Sequence, residues 1–312
     1  MARALVVGGN GLIGSALVDR LVDDGHEVAV FDRYSNGTSH RADRVEVIVG
    51  DLADEVAVEA ALEGRDTLVH LISVSTPASA DDDPVTDIHD NVARSVRLLQ
   101  SAVEAGIRRV HFASTGGAMY GRDASRPSRE TDAPDPVSPY AIGKLAVEGY
   151  LRYFAVKHGL DSIVHRISNP YGSRQHPDRV QGVIPIFLDR IASGRPITVL
   201  GDSSATRDFV HVDDVARMIA ATVDRPARHA VYNVGSGEAT SLAHVIELCA
   251  EVAGHPVTIE RGVEPSTFVH RSVLDIARAV DEFGVAPVIG LREGIERTWA
   301  ERRRPVRPVL RA

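Results

Sequence analysis

Cysteine is almost absent from this 312-residue chain, which has only Cys249. A single cysteine excludes an intramolecular disulfide and is typical of a protein that folds in a reducing compartment. Long apolar runs are also lacking, since no stretch approaches the ~20 residues that a membrane-spanning helix needs. The N-terminus shows no basic segment followed by an apolar region and a cleavage site. We therefore predict no membrane partner and a cytoplasmic location.

Positive charge is in deficit as well, with a formal net charge of −8. Nucleic-acid phosphates require a basic surface, so we predict no nucleic-acid partner. The one basic cluster, residues 301–308, is interpreted as a solvated chain end. The 13 histidines form no His-x-x-x-His or cysteine-rich ligand pattern, so we predict no metal site.

Short runs rich in Val and Ile alternate with segments of helical spacing through the first half of the chain. The predicted strands are Ala4–Val7, Glu27–Phe31, Val45–Val49, Thr67–Leu71, Arg109–Ala113 and Ile163–Ile167. The predicted helices between them are Leu12–Val22, Glu55–Leu62, Asn91–Glu104 and Tyr140–Val156. This alternation predicts an α/β fold, a Rossmann-type doubly wound parallel sheet with helices on both faces.

The regular alternation of strands and helices ends after Ile167, where Pro, Gly and Arg become frequent. Beyond that point we predict helices at Ile184–Ser193, Asp213–Val223 and Leu242–Val252 and a strand at Ala230–Val234. We expect two units, a dinucleotide-binding domain of residues 1–168 plus 208–234 and a smaller C-terminal lobe of residues 169–207 plus 235–312.

A glycine-rich turn separates the first strand from the first helix and contains Gly8, Gly11, Leu12, Ile13 and Gly14. Glycines at such a turn let the backbone approach a pyrophosphate, which then lies on the helix N-terminus. This context favours a dinucleotide site over an ordinary strand–helix turn.

An acidic residue, Asp32, ends the second predicted strand. A carboxylate there accepts hydrogen bonds from the adenosine ribose and repels a 2′-phosphate, so NAD is favoured over NADP. The neighbouring Arg33 weakens that preference, because a guanidinium could neutralise the phosphate. Asp51 and Leu52 either flank the adenine or form a surface turn, and Leu71 completes the predicted cofactor contacts.

Tyr140 and Lys144 stand four residues apart on a predicted helix, downstream of the hydroxyl-bearing pair Ser114 and Thr115. The spacing places both side chains on one face. A nearby ammonium stabilises a phenolate and lowers its pKa, so the pair predicts an active-site base. By itself such a pair occurs by chance on many helices, and its context decides.

With these motifs in one order, the chain resembles the extended short-chain dehydrogenase/reductase superfamily, and within it the nucleotide-sugar epimerase/dehydratase branch. The resemblance covers nearly the whole chain. Its further motifs are Tyr120-Gly121, Ser138-Pro139-Tyr140, Ser168-Asn169-Pro170-Tyr171-Gly172 and Arg207-Asp208-Phe209-Val210-His211-Val212-Asp213-Asp214.

The resemblance implies a role for each matching residue. Tyr140 would be the base, Lys144 would hold the nicotinamide ribose, and Thr115 or Ser114 would bridge the substrate O4. Asn91 would face the active site on the cofactor side. The implied substrate contacts are Ser73, Thr115, Asn169, Gln181, Gly182, Val183, Val199, Arg207 and Arg271.

Two departures from the family pattern bear on these roles. Four residues, Gly116 to Met119, separate Thr115 from Tyr120, whereas many members have one fewer, so the working hydroxyl is Thr115 or Ser114, with Thr115 favoured. The C-terminal lobe usually supplies an arginine a few residues before a segment like Val273-Leu274-Asp275, and Arg271 is the candidate substitute.

The same branch contains enzymes that differ after a shared oxidation at C4. A 4,6-dehydratase normally carries an Asp-Glu pair directly after the threonine, where this chain has Gly116 and Gly117. We therefore predict NAD-dependent C4 epimerisation of a UDP-hexose, with glucose/galactose, uronic acid and N-acetyl forms left open. The alternatives are a 4,6-dehydratase or 4-ketoreductase, a non-catalytic NAD-binding regulator, and a purely structural protein. The resemblance also implies a homodimer that pairs Val92–Ala105 and Leu145–Val156.

Overall fold

The structure, a computed structural model, describes residues 1–35, 37–41, 43–75, 77–174, 182–201 and 203–301. Its first half contains β1 (Arg3–Val7), α1 (Leu12–Asp23), β2 (Glu27–Asp32), β3 (Glu46–Val49), α2 (Glu55–Leu62), β4 (Thr67–His70), α3 (Pro77–Asp82), α4 (Pro84–Asp87), a π-helical turn (Ile88–Ala93), α5 (Arg94–Glu104), β5 (Arg109–Thr115), α6 (Pro139–His158) and β6 (Asp161–Ile167). Each of the six predicted strands is present with its ends within two residues of the prediction.

The second half contains shorter elements. They are β7 (Asn169–Tyr171), α7 (Val183–Ala192), β8 (Ile197–Leu200), β9 (Thr206–Arg207), β10 (Phe209–His211), α8 (Val212–Ala220), β11 (Val231–Val234), β12 (Thr240–Ser241), α9 (Leu242–Ala253), β13 (Ile259–Gly262), β14 (Arg271–Ser272), α10 (Ala277–Phe283) and α11 (Leu291–Glu301). The three predicted helices and the predicted strand are present. The other strands have only two to four residues, too few for an alternating pattern to stand out in the sequence.

Seven strands form one parallel sheet in the order β11-β6-β5-β4-β1-β2-β3. The order reverses between β1 and β4, which pair directly with Val7 opposite His70. In doubly wound sheets a ligand binds at the carboxyl ends of the strands beside this reversal. The glycine turn after β1 and the loop after β4 both start there. The predicted Rossmann-type fold class is confirmed.

Three apolar cores hold the molecule together. One face of the sheet packs against α1 and α8, and the other packs against α2, α5 and α6. A third core lies among α7, α9, α11 and β8 in the C-terminal part. The exact division of the chain into two domains stays a prediction. Among the described helices, none is long and apolar enough to cross a membrane.

Three histidines lie buried on the adjacent strands β4, β5 and β6, namely His70, His111 and His165. The His111 and His165 rings stack with centroids 5.6 Å apart, and His111 Nδ1 lies 3.3 Å from His165 Nε2. Burial lowers the pKa of His165 to about 3, and burial together with Lys144 lowers the pKa of His70 to about 3. All three rings are therefore neutral in the folded protein at neutral pH, because burial also lowers the pKa of His111.

The buried histidines should make the protein sensitive to mild acid. In the unfolded chain each would take a proton near its ordinary pKa of about 6.5. The contribution of these histidines to the free energy of unfolding is therefore fully present above pH 6.5. It decreases as the pH falls below that value, by roughly 1 kcal/mol per histidine at pH 5.5. Denaturation of the wild type and of His165→Gln at pH 7.5 and 5.5 measures this. The variant should lose less stability than the wild type on acidification, and equal losses would contradict a neutral His165.

Candidate active site

The turn after β1 is shaped to let a ligand approach the backbone. Gly8 adopts a φ of +86°, a conformation that L side chains rarely adopt. A Cβ on Gly14 would lie 2.2 Å from the Gly8 carbonyl oxygen, so only glycine fits. Helix α1 begins after Gly11 with no side-chain cap and no acidic residue in its first turn, so its first N–H groups are available to an anion. These features fit the pyrophosphate of a dinucleotide, with Leu12 and Ile13 in the first helical turn.

Asp32 lies beside this turn at the carboxyl end of β2. Its carboxylate accepts hydrogen bonds from the backbone N–H of Asn10 at 3.0 Å and of Arg33 at 2.7 Å. The Arg33 guanidinium lies 4.0 Å from Asp51, which Arg94 also approaches at 3.5 Å. Because Arg33 already faces a carboxylate, the arrangement favours NAD over NADP. Leu52 and Leu71 are partly buried against the two cores of the sheet.

Helix α6 positions Tyr140 and Lys144. Its N-cap is Ser138, whose hydroxyl accepts from the Ala141 N–H at 3.4 Å, and Pro139 occupies the first turn. The Lys144 Nζ is buried, donates to the Ala113 carbonyl at 3.0 Å and lies 5.8 Å from the centre of the Tyr140 ring. The two side chains therefore share one face of α6 at the carboxyl end of β5.

The protonation of this pair differs from the sequence-based expectation. Burial, together with the Asp87 carboxylate, raises the pKa of Tyr140 to about 12. Burial also lowers the pKa of Lys144 to about 8, although Asp87 opposes that shift. The expectation that Lys144 depresses the Tyr140 pKa is thus not met in the protein alone, because burial and the Asp87 carboxylate both disfavour the phenolate.

Asp87 is a site residue that sequence reasoning missed. It is 4% exposed and accepts hydrogen bonds from the Ser75 hydroxyl and from Asn91 Nδ2 at 2.8 Å. Its other oxygen faces α6 at Gly143, where a Cβ would lie 3.2 Å away. The available signal was its spacing, since Asp87 stands four residues before Asn91 and so shares a helix face with it.

Asn91 lies in the π-helical turn, a kind of distortion that is frequent at functional sites. Its Oδ1 accepts from the Val74 N–H at 2.8 Å, which fixes the loop after β4. In that loop the Ser73 hydroxyl donates to the Ser75 carbonyl at 3.1 Å. A small cavity joins these groups, lined by Ile72, Ser73, Asp87, Asn91, Ser95, Phe112, Tyr140, Gly143, Lys144 and Val147. The structure thus brings Ser73 and Asn91 together with Tyr140 and Lys144.

The two candidate hydroxyls at the end of β5 have different surroundings. Ser114 donates to Glu148 Oε1 at 2.5 Å and belongs to a buried network with Arg166. Thr115 has no hydrogen-bond partner for its hydroxyl among the described residues, and it is 7% exposed. Beyond it, Gly117 lies beside the Asn169 side chain, whose amide nitrogen would be 3.6 Å from a Cβ on that glycine. The geometry favours Thr115 as the available hydroxyl.

Arg207 is a partly buried cation with no acidic partner among the described residues. Its Nη1 donates to the carbonyls of Thr206 at 3.1 Å and His270 at 3.4 Å, and its guanidinium lies 5.3 Å from the centre of the Phe268 ring. Desolvation lowers the Arg207 pKa to about 10. A partly buried guanidinium of this kind suits an anionic ligand such as a diphosphate.

The other predicted substrate contacts differ in how available they are to a ligand. Asn169 Nδ2 donates to the Asp208 carbonyl at 3.2 Å, and Gly182 and Val183 begin α7. Gln181 lies outside the described residues. Val199 is 3% exposed within the third core, so its side chain is not available to a ligand.

Arg271 also fits its predicted role poorly. In the small sheet Arg271 pairs with Thr206, and Ser272 pairs with Arg207. Because successive residues of a strand face opposite sides, Arg271 and Arg207 point to opposite faces of that sheet. Arg271 is thus badly placed to share one anion with Arg207. Among the described residues, no group of three His, Cys, Asp or Glu side chains is arranged to hold a metal ion.

Comparison with known proteins connects this site to a family. Residues 4–235 match the model of the NAD dependent epimerase/dehydratase family. The chain is 35% identical over 303 residues to a UDP-glucose 4-epimerase of Mycolicibacterium smegmatis, covering 95% of this chain and 97% of the relative. It is 30% identical over 305 residues to a dTDP-4-dehydro-6-deoxyglucose reductase of Escherichia coli, covering 94% and 95%. The crystal structure of the Thermus thermophilus UDP-glucose 4-epimerase with NAD superposes with a TM-score of 0.90 at 34% identity, covering 96% of this chain and 99% of that one.

Proposed function

Because this chain belongs to the NAD-dependent epimerase/dehydratase family, we propose that it interconverts the C4 epimers of a UDP-hexose through a transient 4-keto sugar. The sugar is glucose/galactose or the corresponding uronic acid or N-acetyl forms. The observation that carries the proposal is the segment after Thr115, where Gly116 and Gly117 occupy the positions at which a dehydratase would carry its two carboxylates.

The nearby carboxylates are engaged elsewhere. Asp87 accepts hydrogen bonds from Ser75 and Asn91, and Glu148 forms an ion pair with Arg166 at 2.7 Å. Elimination of water from C5 and C6 requires an acid and a base beside the sugar. Epimerisation requires no acid–base pair beyond Tyr140, which favours it over dehydration. The reductase among the relatives of similar identity means that identity alone does not choose the reaction.

The residues divide the chemistry as follows. Tyr140 would remove the proton of the C4 hydroxyl and later return it. The Thr115 hydroxyl would form a hydrogen bond with the same substrate oxygen, O4. Lys144 would hold the nicotinamide ribose and stabilise the phenolate. NAD⁺, when bound, would supply a reversible hydride acceptor for C4 and a positive charge that favours the phenolate of Tyr140.

Substrate binding would depend on the partly buried guanidinium of Arg207. A diphosphate would accept two parallel hydrogen bonds from it and stabilise its charged form. Asn169, Gly182 and Val183 would complete the nucleotide contacts.

The homodimer implied by the resemblance stays a prediction. On α6, Tyr150, Tyr153 and Val156 are exposed, at 42%, 47% and 84%. Such an apolar helical face is what packing against a second copy requires.

A substrate screen tests the proposed reaction. The purified protein is supplied with UDP-glucose, UDP-galactose, UDP-glucuronate and UDP-N-acetylglucosamine, and products are separated by chromatography. We expect C4 interconversion of at least one of them without net change in the NAD⁺/NADH ratio. A 4-keto-6-deoxy product would identify a dehydratase, and net consumption of the cofactor a reductase. Absence of any conversion would refute the proposal.

A further inference from the structure

Two arginines, Arg207 and Arg122, contact the same short turn of the C-terminal lobe. Arg207 lies over the Phe268 ring and donates to the His270 carbonyl. From the other side, Arg122 Nε donates to the Phe268 carbonyl at 2.9 Å, and its Nη2 lies 3.5 Å from His270 Nε2. Both guanidinium groups therefore lie within reach of Phe268 and His270.

Strand register places the two arginines on one face. Asp123 pairs with Arg271 in a parallel bridge, and Arg271 pairs with Thr206. These three residues share one side of the small sheet, so their neighbours Arg122 and Arg207 share the other. Arg271, the replacement suggested by the sequence, is on the wrong side.

Neither arginine has an acidic partner among the residues that the structure describes. The Glu264 carboxylate approaches the cluster only at the imidazole, 3.6 Å from His270 Nε2, and is partly exposed. The described partners of both guanidinium groups are carbonyl oxygens, an aromatic ring and an imidazole. Two positive charges on one partly buried face, with no acidic partner of their own among the described residues, favour binding of an anion.

From this juxtaposition we infer that Arg122 supplies the second guanidinium for the diphosphate of the nucleotide sugar, in place of Arg271. The inference rests on the proposed function, since it names a binding group of the same site. A diphosphate carries charge on two phosphorus centres, and two arginine forks match it better than one.

Binding of UDP by calorimetry tests the role of Arg122. The protein, loaded with NAD, is titrated with UDP, UMP and uridine in the wild type and in Arg122→Met. The variant should bind UDP about tenfold more weakly, lose less affinity for UMP, and bind uridine unchanged. Arg126→Met is the matched control, because Arg126 lies in the same segment but pairs with Asp132 at 2.7 Å and should leave UDP affinity unchanged.

Three outcomes would overturn the inference. These are a UDP affinity unchanged in Arg122→Met, an equal loss for UDP and uridine, or a loss in Arg271→Met in its place. Arg122→Lys keeps the charge but not the planar fork, so it should bind UDP more weakly than the wild type and more tightly than Arg122→Met, and it covers the case in which the methionine variant does not fold. Titration with UDP-glucuronate and UDP-glucose distinguishes binding of the diphosphate from binding of a sugar carboxylate. If Arg122 bound the carboxylate, Arg122→Met would lose affinity for UDP-glucuronate only. Failure of the wild type to bind UDP would instead count against the proposed function.

Discussion

Replacing Tyr140 by Phe should lower kcat about 10²- to 10⁴-fold, the range expected when a general base is removed. The phenol oxygen is the only atom lost, and the ring keeps its place in α6. UDP affinity and NAD content should therefore remain near the wild-type values, because neither the Arg207 side nor the glycine turn contacts this oxygen. The measurement is kcat and KM for the best substrate of the screen.

The same helix offers a matched control. Tyr153 and Lys157 repeat the Tyr-x-x-x-Lys spacing thirteen residues later, with Lys157 Nζ donating to the Tyr153 hydroxyl at 2.8 Å. Tyr153 is exposed on the protomer and lies on the proposed dimer face, and Tyr153→Phe keeps its ring, so kcat should stay within about twofold. If Tyr140→Phe retains more than a tenth of the activity, another group must be the base.

The duplicate pair also shows what spacing can and cannot predict. Both pairs place a phenol and an ammonium on one helix face, and nothing in the four-residue spacing distinguishes them. The difference is three-dimensional, since Lys144 is buried beside Phe112 and the end of β5 whereas Lys157 faces outward. Only the order of Tyr140 after the glycine turn and the hydroxyl segment pointed to the first pair.

The sheet could be predicted because its strands carry local signals. Each of β1, β2, β4, β5 and β6 contains a short apolar stretch that alternates along the chain with a helical segment, and right-handed crossovers then fix the winding. Small strands such as β9 and β14 have no such pattern, because they exist only through pairing with distant segments. The opposed faces of Arg207 and Arg271 depend on that pairing and could not be predicted.

Buried charge was equally hidden in the sequence. In the sequence, Asp87 and Glu148 look like ordinary acidic residues of a helix surface. In the structure Asp87 faces Gly143, and Glu148 accepts a hydrogen bond from the Ser114 hydroxyl. Their partners come from elements 4 to 34 residues away. The choice between Ser114 and Thr115 stayed open in the sequence for this reason, because it depends on which hydroxyl a distant acid has already engaged.

Breaking the Glu148–Arg166 ion pair should strongly reduce the free energy of unfolding. Arg166 donates to Glu148 through Nε at 3.1 Å and Nη2 at 2.7 Å, and the two side chains are 6% and 8% exposed. Although burial opposes its charge, the hydrogen bonds and charge of Glu148 raise the pKa of Arg166, so it stays ionised. Arg166 also donates to the Tyr120 hydroxyl at 2.9 Å, which connects the pair to β11 through Asn233.

Glu148→Gln should therefore destabilise the protein by about 3–5 kcal/mol, the cost of leaving a buried charge unpaired. Denaturant unfolding followed by circular dichroism measures this loss. The double variant Glu148→Leu/Arg166→Met should be more stable than Glu148→Leu alone, because it removes the isolated charge along with its partner. As a control, Glu55→Gln breaks the exposed pair with Arg97 and should have a far smaller effect. A Glu148→Gln protein as stable as the wild type, or a double variant no more stable than Glu148→Leu, would show that the pair does not hold β5, α6 and β6 together.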